Sequence, residues 1–424
     1  MTIGRIMLPD GHSVVREADR QGFLRGSFLT FWKWLLLSGL LFLPGVLGFF
    51  FEGTSFATGT AIICLLALML AAIGVIPLSS RDILGASTVA SVAVFIVVVH
   101  LLIANVINND ASFDLVRALL SLLLLGIVGL GVPVFAKAIM ANGRLGTIVW
   151  TMLGLFFISA VFSLLKVQPL TSNLGEKPTF PFTEPSFLGF SLAATLIFTM
   201  IRSPQIVRIF IFLAFIGLGY SLSNLTIITT CVLAAMVSLP MSWLVSGVVI
   251  VSISAASLDL TYYTDRLDLN SANSTNLSSL VYVQGWQMLQ ESLQRTYGWG
   301  IGFQQLGVVY TNVLASIRIN ALLGRDANLQ DGGFILSKLG SEFGLLGFAL
   351  TVFYLRVTAY SFLRLRQTAL GKIETPDGEL FARACVTGYL IETFIRGTNY
   401  FTGTLVLMLA GLLHLHHLRK GSRT

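Results

Sequence analysis

Charged residues are scarce in this sequence. Only 11% of its 424 residues are Asp, Glu, Lys or Arg, whereas 55% are hydrophobic, and the mean hydropathy is +0.82. A soluble domain carries about 25% charged residues, so the composition excludes an ordinary soluble enzyme and predicts a protein with many membrane-spanning segments. We therefore interpret the net charge of +7 through topology and lipid contact, not through nucleic-acid binding.

Cysteine, histidine and cofactor-binding motifs are also rare or missing. The three cysteines, Cys64, Cys231 and Cys385, lie inside apolar runs and have the spacing of neither a metal site nor a disulfide framework. The sequence has no Walker-type phosphate loop, no G-x-G-x-x-G after a strand and no D-x-D motif. None of the five histidines falls in the polar segments described below. These absences disfavour metal and histidine chemistry there, and we expect no cofactor.

Long apolar runs fill most of the chain. A run of about 20 apolar residues crosses a hydrocarbon core of roughly 30 Å. The runs lie near 30–51, 55–78, 83–107, 113–136, 146–165, 185–201, 204–221, 223–238, 241–258, 333–355, 379–395 and 399–417. They predict an all-α polytopic integral membrane protein of about twelve transmembrane helices. The stretch 204–238 also allows another division, because "GYSLSNL" is a short break.

The distribution of Lys and Arg predicts the orientation of these spans. If the N-terminal segment is cytoplasmic, the short outer turns "FEGTS", "NND" and "SLSN" carry no Lys or Arg. The inner connections then hold Arg81, Lys137, Arg144, Arg202, Arg208, Arg356, Arg364, Arg366 and Lys372. Both termini are then cytoplasmic. The chain divides into an N-terminal bundle of about nine spans (1–258, with an outer segment at 166–184), an extracytoplasmic loop (259–332), and C-terminal spans with a tail (333–424).

Arginine is unexpectedly frequent on the predicted outer side. The arginines there are Arg266, Arg295, Arg318, Arg325 and, in "IRGTNY", Arg396. A guanidinium group binds phosphate oxygens bidentately and stays charged at any working pH. The set therefore indicates a lipid-linked phosphate or diphosphate, although each arginine has the alternative of pairing with a neighbouring carboxylate.

Two further cations lie near the outer ends of predicted spans. They are Arg117 in "FDLVRALL" and Lys338 in "GGFILSKLG". Charges at membrane depth are costly and are functional candidates, but a long side chain near a helix end can also extend to the interface.

One acidic residue stands alone in "PTFPFTEPSFLGF" (178–190). This residue, Glu184, precedes Pro185, which is well suited to the first turn of a helix. Glu184 is either a capping acid that complements the helix dipole or a base or substrate-orienting carboxylate that faces the arginines. Asp326 and Asp331 in "GRDANLQDGGF" are the competing acids.

Aromatic residues are concentrated in the long loop, where "LVYVQGWQMLQESLQ" has the spacing of an amphipathic helix. Aromatic rings suit sugars, a membrane-interface belt or internal packing, and the sequence leaves these alternatives open. We expect Trp286, Trp299, Tyr400 and Arg117 to contact sugar or lipid.

Several of these elements occur in a familiar order. The combination of "FTEPSFLG", "GWGIG" and "DANLQDGGFILSKLGSEFGLLGFAL" resembles the bacterial O-antigen polymerase (Wzy) family and its O-antigen ligase relatives, over roughly 150–410. The N-terminal quarter matches only in hydropathy. The resemblance implies a GT-C-like glycosyltransferase of the bacterial inner membrane that works on its periplasmic face. Such an enzyme needs neither nucleotide sugar nor metal.

The resemblance also implies partners and roles. Donor and acceptor would both be undecaprenyl-diphosphate-linked oligosaccharides in the membrane, and a chain-length regulator protein is a further partner that the resemblance allows. Glu184 and Asp331 are then the candidate catalytic carboxylates. The candidate diphosphate ligands are Arg266, Arg318, Arg325 and Arg396.

Two departures from the family pattern bear on this interpretation. Ligases typically carry a histidine shortly before the N-x-x-L element, and "GRDANLQDG" has none, which favours a polymerase over a ligase. Polymerases often carry an arginine before the G-x-G of the loop, but "SSLVYVQGW" has none, so Arg266 or Arg295 would serve instead. A flippase or other transporter is the alternative of a different class. Because the polar residues are concentrated on one outer face, not near the bilayer midplane, a transporter is disfavoured.

Overall fold

The protein is described here from a computed structural model. It covers residues 11–51, 56–108, 113–140, 144–167, 179–246, 274–309 and 311–421, with side chains from residue 29 onward. Helices account for most of this part of the chain, and it contains no β-strand apart from isolated bridges.

The helices follow the apolar runs closely. They are α1 (Gly11–Phe50), α2 (Phe56–Ala72), α3 (Ser80–Asn108), α4 (Leu115–Met140), α5 (Leu145–Leu164), α6 (Pro185–Arg202), α7 (Gln205–Ser221), α8 (Leu225–Ser238), α9 (Leu277–Arg295), α10 (Leu314–Leu323), α11 (Ile335–Ala369), α12 (Asp377–Gly388), α13 (Leu390–Phe394) and α14 (Gly403–Gly421). The predicted division of 204–238 into two helices is confirmed. Of the predicted span 241–258, only residues 241–246 are described, and these are helical.

Among the described residues, six helical segments are long and apolar enough to cross a membrane. They are Leu29–Phe50, Ser80–Asn108, Leu115–Met140, Leu145–Leu164, Pro185–Arg202 and Ile335–Ala369. Many large apolar side chains on α3 and α4 are exposed, as expected of a surface that faces lipid. The prediction of a helical membrane protein is confirmed at this level.

The boundaries of the last spans differ from the prediction. Helix α11 continues to Ala369, well beyond 355, and the predicted span 379–395 is broken at Tyr389 into α12 and α13. Helix α14 begins at Gly403 instead of 399, because the Thr402 hydroxyl accepts a hydrogen bond from the Leu405 N–H and caps the helix there.

Helix α6 runs through the centre of the bundle and is buried along nearly its whole length. At 1.5 Å per residue its 18 residues separate its ends by about 27 Å. At its C-terminal end, Arg202 lies 2.5 Å from Asp377, and Arg208 donates to the carbonyl groups of Ser238 and Ala369. These basic residues, predicted for inner connections, therefore lie at the opposite end of the bundle from Glu184.

The described part of the long loop is folded. Helices α9 and α10 pack on each other and α9 packs on α11, around small apolar clusters that include Met288, Ile301, Leu306 and Ile319. This layer lies over the N-terminal half of α11 and supports the candidate site.

Candidate active site at the Glu184 end of the bundle

A kink in α11 creates the platform for the site. Gly344 has φ 56° and ψ −133°, a conformation that only glycine adopts readily. In an uninterrupted helix the Leu345 N–H would donate to Ser341, but here it donates to the Gly298 carbonyl at 2.9 Å. The carbonyl groups of Ser341 and Glu342 are thereby free to accept hydrogen bonds from the loop.

The "GWGIG" loop uses these free carbonyl groups. Ile301 donates its N–H to Ser341, and Gly302 donates its N–H to Glu342, both at 2.9 Å. Gly300 has φ 95° and approaches α11 so closely that a Cβ atom there would lie 2.5 Å from the Glu342 carbonyl oxygen. The glycines therefore allow the loop backbone to lie directly on the kinked helix.

Two opposite charges are completely buried beneath this loop. Lys338 Nζ lies 3.1 Å from Glu342 Oε1, and neither side chain is exposed to solvent. The Glu342 carboxylate also accepts the N–H groups of Gln304 (2.9 Å) and Leu306 (3.3 Å), and Lys338 donates to the Gln330 carbonyl at 2.6 Å. A buried charge is tolerated when it is paired and its hydrogen bonds are made, and both conditions hold here.

Arg117, in the first turn of α4, joins the bundle to the same loop. Its guanidinium donates to the Leu306 carbonyl and to Gln304 Oε1, each at 3.1 Å. Beside it, Gln305 bonds to both the N–H (2.9 Å) and the carbonyl (3.0 Å) of Asp114. This cation, predicted near the outer end of a span, therefore lies at the candidate site.

The turn before α11 carries Asp331. Gly332 and Gly333, with φ of 65° and 75°, direct the chain sharply into the helix, and the Asp331 N–H donates to the Asn328 carbonyl at 3.2 Å. The Gly333 carbonyl accepts the N–H of Gly397 at 3.0 Å. This last bond ties the Asp331 turn to the segment that carries Arg396.

Asp331 is half-buried among several charges. Burial raises its pKa from the ordinary 3.8 to about 6. The cations Lys338, Arg396 and Arg117 act against this increase in the pKa, in that order of strength, and Glu184 adds to it. These five residues, which we name the Asp331 cluster, bring together one titrating carboxyl group, a second carboxylate and three cations.

Glu184 and Arg396 form the exposed side of the cluster. Arg396 Nη2 lies 3.4 Å from Glu184 Oε2, which also accepts the Ser186 hydroxyl at 2.9 Å. The guanidinium lies 5.9 Å from the centre of the Phe187 ring. Glu184 occupies the N-cap position of α6, but its side chain makes no capping hydrogen bond. Its carboxylate is directed to Arg396.

The remaining predicted arginines lie elsewhere or outside the described residues. Arg325 is exposed just beyond α10, and Arg318 lies on α10 with Nε buried and without a hydrogen-bond partner among the described residues. No hydrogen bond or ion pair among the described residues joins either to the Asp331 cluster. Arg295 pairs with Glu291 at 2.5 Å. Arg266 falls in 247–273, outside the described residues.

Two of the predicted aromatic contacts pack against buried parts of the site. The Tyr400 ring centre is 5.2 Å from Lys338 Nζ and 5.9 Å from the Phe303 ring. Trp299 stacks on His100 at 5.2 Å, and His100 Nε2 lies 3.1 Å from the Trp299 carbonyl oxygen. His100 is therefore packed against this loop.

The third aromatic contact, Trp286 on α9, is the most open to solvent. Its side chain is 42% exposed and packs with Tyr282 against Phe334, three residues after Asp331 in the chain. The predicted helix that carries it, α9, is confirmed, and its buried face packs on α11 and α10.

Three further residues of this region were not predicted from the sequence. Gln304 and Gln305 join the loop to Arg117 and Asp114, and Glu392 lies within a predicted span. Glu392 is buried and accepts the hydroxyl groups of Thr402 (2.9 Å) and Thr404. An acidic residue within an apolar run was the available signal for Glu392. No comparable signal marks the glutamines, because their partners are distant in sequence.

No protein-family model matches the chain, and comparisons with curated proteins and with solved structures gave no significant match. The function is therefore inferred from the residues of the site.

Proposed function

We propose that the chain is a polysaccharide polymerase of the O-antigen polymerase type. It transfers a polyprenyl-diphosphate-linked glycan onto the sugar end of a second lipid-linked repeat unit. The observation that carries this proposal is the Asp331 cluster, a half-buried carboxyl group among three cations at one end of a bundle of membrane-length helices. A diphosphate requires cations, an acceptor hydroxyl requires a base, and a polyprenyl chain requires hydrocarbon beside the site.

In this proposal the bundle has about twelve spans with a GT-C-like arrangement in the bacterial inner membrane. The Asp331 cluster faces the periplasm and both termini are cytoplasmic. The position of Arg202 and Arg208 at the opposite end of the bundle supports this orientation, because cytoplasmic connections carry an excess of basic residues.

Arg396 is the first ligand for the donor diphosphate. Its one described ion pair, with Glu184, is long at 3.4 Å, and the Glu184 side chain is 51% exposed. The other N–H groups of the guanidinium have no described partner and remain available for phosphate oxygens. Arg117 lies on the α4 side of the cluster and adds a second positive charge. Both charges stabilise the negative charge that develops on the leaving group.

Asp331 is the proton acceptor in this scheme. The acceptor hydroxyl gives its proton to the Asp331 carboxylate while its oxygen forms a bond to the anomeric carbon of the donor. The bond from that carbon to the diphosphate oxygen breaks, and its electron pair remains on the polyprenyl diphosphate. A base works best when its pKa is near the working pH, and the pKa of about 6 meets this condition.

The test is a gel of surface polysaccharide from a bacterium in which this chain is deleted and then restored. A polymerase predicts that the deletion strain keeps a core with a single repeat unit and loses the ladder of longer chains. Restoring the wild-type chain should return the ladder, and restoring the Arg396→Ala variant should not.

Loss of all repeats, including the single one, would contradict the proposal. Accumulation of the lipid-linked repeat on the periplasmic face would then indicate a ligase, and accumulation on the cytoplasmic face would indicate a flippase.

A further inference from the structure

Lys338 is a buried cation for which substrate binding offers no explanation. Its side chain is not exposed to solvent, so neither a lipid-linked sugar nor a diphosphate contacts it without rearrangement of the loop. Removing a charge from water is costly even when it is paired. Its contacts therefore indicate what it does within the protein.

The ammonium group binds the peptide group that carries Asp331. Lys338 Nζ donates to the Gln330 carbonyl at 2.6 Å, and this carbonyl belongs to the same peptide plane as the Asp331 N–H. That N–H donates in turn to the Asn328 carbonyl at 3.2 Å. Both polar groups of this peptide, the Gln330 carbonyl and the Asp331 N–H, are therefore hydrogen-bonded. These two bonds fix the backbone from which the Asp331 side chain extends.

Glu342 holds Lys338 in this position. Its carboxylate lies 3.1 Å from Nζ and accepts the N–H groups of Gln304 and Leu306, whose other polar groups bind Arg117. One buried ion pair therefore connects the Asp331 turn, the loop and α4.

We propose that Lys338 is a positioning residue that orients Asp331 through the Gln330 carbonyl and places a positive charge beside the Asp331 turn. This inference rests on the proposed function, in which Asp331 accepts the proton of the acceptor hydroxyl.

The charges that face Asp331 come from four elements: Lys338 from α11, Arg396 from the segment after α13, Arg117 from α4 and Glu184 from the start of α6. Lys338 lowers the pKa of Asp331 more than either arginine does. A bound diphosphate would neutralise Arg396 and Arg117, whereas the buried Lys338 lies out of its reach.

The test compares three forms of the full-length protein in proteoliposomes: wild type, Lys338→Met combined with Glu342→Gln, and Lys372→Met. The double variant removes both buried charges, so no unpaired carboxylate is left in the interior. Lys372 is exposed and lies just beyond α11, so its variant controls for the loss of a lysine.

Two measurements are made on each form. The titration midpoint of the Asp331 carboxyl is measured by infrared difference spectroscopy against the same protein with Asp331→Asn. The pH profile of polymerisation is measured with lipid-linked repeat units purified from the deletion strain.

In the double variant the Asp331 midpoint should increase by about one pH unit, a tenfold change in the protonation equilibrium. The acidic limb of the pH profile should move by the same amount, and Lys372→Met should change neither. An unchanged midpoint in a monodisperse double variant overturns the inference even if activity falls, because Lys338 would then only support packing. An Asp331→Asn variant with full polymerisation activity overturns it as well.

If the double variant does not fold, the single Glu342→Gln variant decides the question. It keeps the ammonium and removes its counter-charge, so the Asp331 midpoint should fall, and an unchanged midpoint overturns the inference. Failure of the proposed function has a different signature. The wild-type protein then makes no polymer, while the infrared midpoint still responds to the Lys338 variants.

Discussion

Replacing Asp331 with Asn should stabilise the protein, and the gain should depend on pH. Burial raises the pKa of Asp331 from 3.8 to about 6, so the folded state favours the protonated carboxyl group. Below pH 3.8 the group is protonated in both the folded and the unfolded chain, and the burial of its charge costs nothing. Above pH 6 it is ionised in both, and the full cost is present.

The size of the effect follows from linkage. Each pH unit between the two pKa values changes the free energy of unfolding by about 1.4 kcal/mol. The interval from 3.8 to about 6 therefore corresponds to about 3 kcal/mol, which the wild-type protein loses as the pH rises through this interval. The uncharged Asn side chain avoids this loss.

The assay is the free energy of unfolding of wild type and Asp331→Asn in mixed micelles, measured from pH 4 to 7.5. The difference between them should be small at pH 4 and increase to about 3 kcal/mol in favour of the variant above pH 6. Asp326→Asn removes an exposed carboxylate from the same loop and controls for the change of net charge. A difference that stays constant with pH, or one that grows toward low pH, would refute the reasoning.

Three further substitutions test the cluster and the loop. Arg396→Ala should reduce polymerisation at least about 100-fold with normal membrane expression, whereas Arg325→Ala should remain near wild type. An equal loss in both would contradict the assignment of the donor diphosphate to the cluster. Glu184→Gln should move the acidic limb of the pH profile to lower pH, because Glu184 raises the pKa of Asp331; a shift in the other direction would count against Asp331 as the base. Gly344→Ala would bring a Cβ atom to 2.0 Å from the Gly298 carbonyl oxygen at a φ of 56°, so it should lower the thermal unfolding temperature markedly. Gly154→Ala in α5, where a Cβ atom meets open space, is its control, and equal unfolding temperatures for the two variants would contradict the structural account of the kink.

Helix boundaries that are set by residues close to them in the sequence were predictable. Glu184 followed by Pro185 predicts the start of α6, because proline suits the first turn of a helix, and the structure begins the helix there. The break at "SLSN" between α7 and α8 was also readable, since Asn224 caps the next helix by accepting the Ile227 N–H. Both signals act within a few residues of the boundary they set.

The kink of α11 and the division between α12 and α13 were not predictable. "GSEFGLLGFAL" is compatible with an unbroken helix, and Gly344 departs from helical geometry where the Leu345 N–H bonds to Gly298, in a distant part of the chain. A hydrogen bond to a distant segment leaves no periodic pattern in the sequence.

The composition of the candidate site also depends on contacts between residues that are distant in the sequence. Glu184, Asp331 and Arg396 were predictable as candidates because each is a charged residue at a predicted outer end of the bundle. Arg325 and Arg318 were candidates of the same standing as Arg396, and their spacing in the sequence could not separate them. Only the fold joins Arg396 to Glu184 and to the Asp331 turn while leaving Arg325 exposed.

Composition was enough to establish a helical membrane protein, because a chain with so few charges enters lipid, and lipid requires backbone groups to bond within each helix. The placement of charges along the chain was enough to mark one end of the bundle as the candidate site. Which charges meet there, and in what protonation state, depended on the tertiary structure. Lys338 and Glu342 have the spacing of an ordinary surface pair, and only packing shows that both are fully buried. The pKa of Asp331 likewise depends on burial and on the distances to charges on four elements, which no local pattern in the sequence encodes.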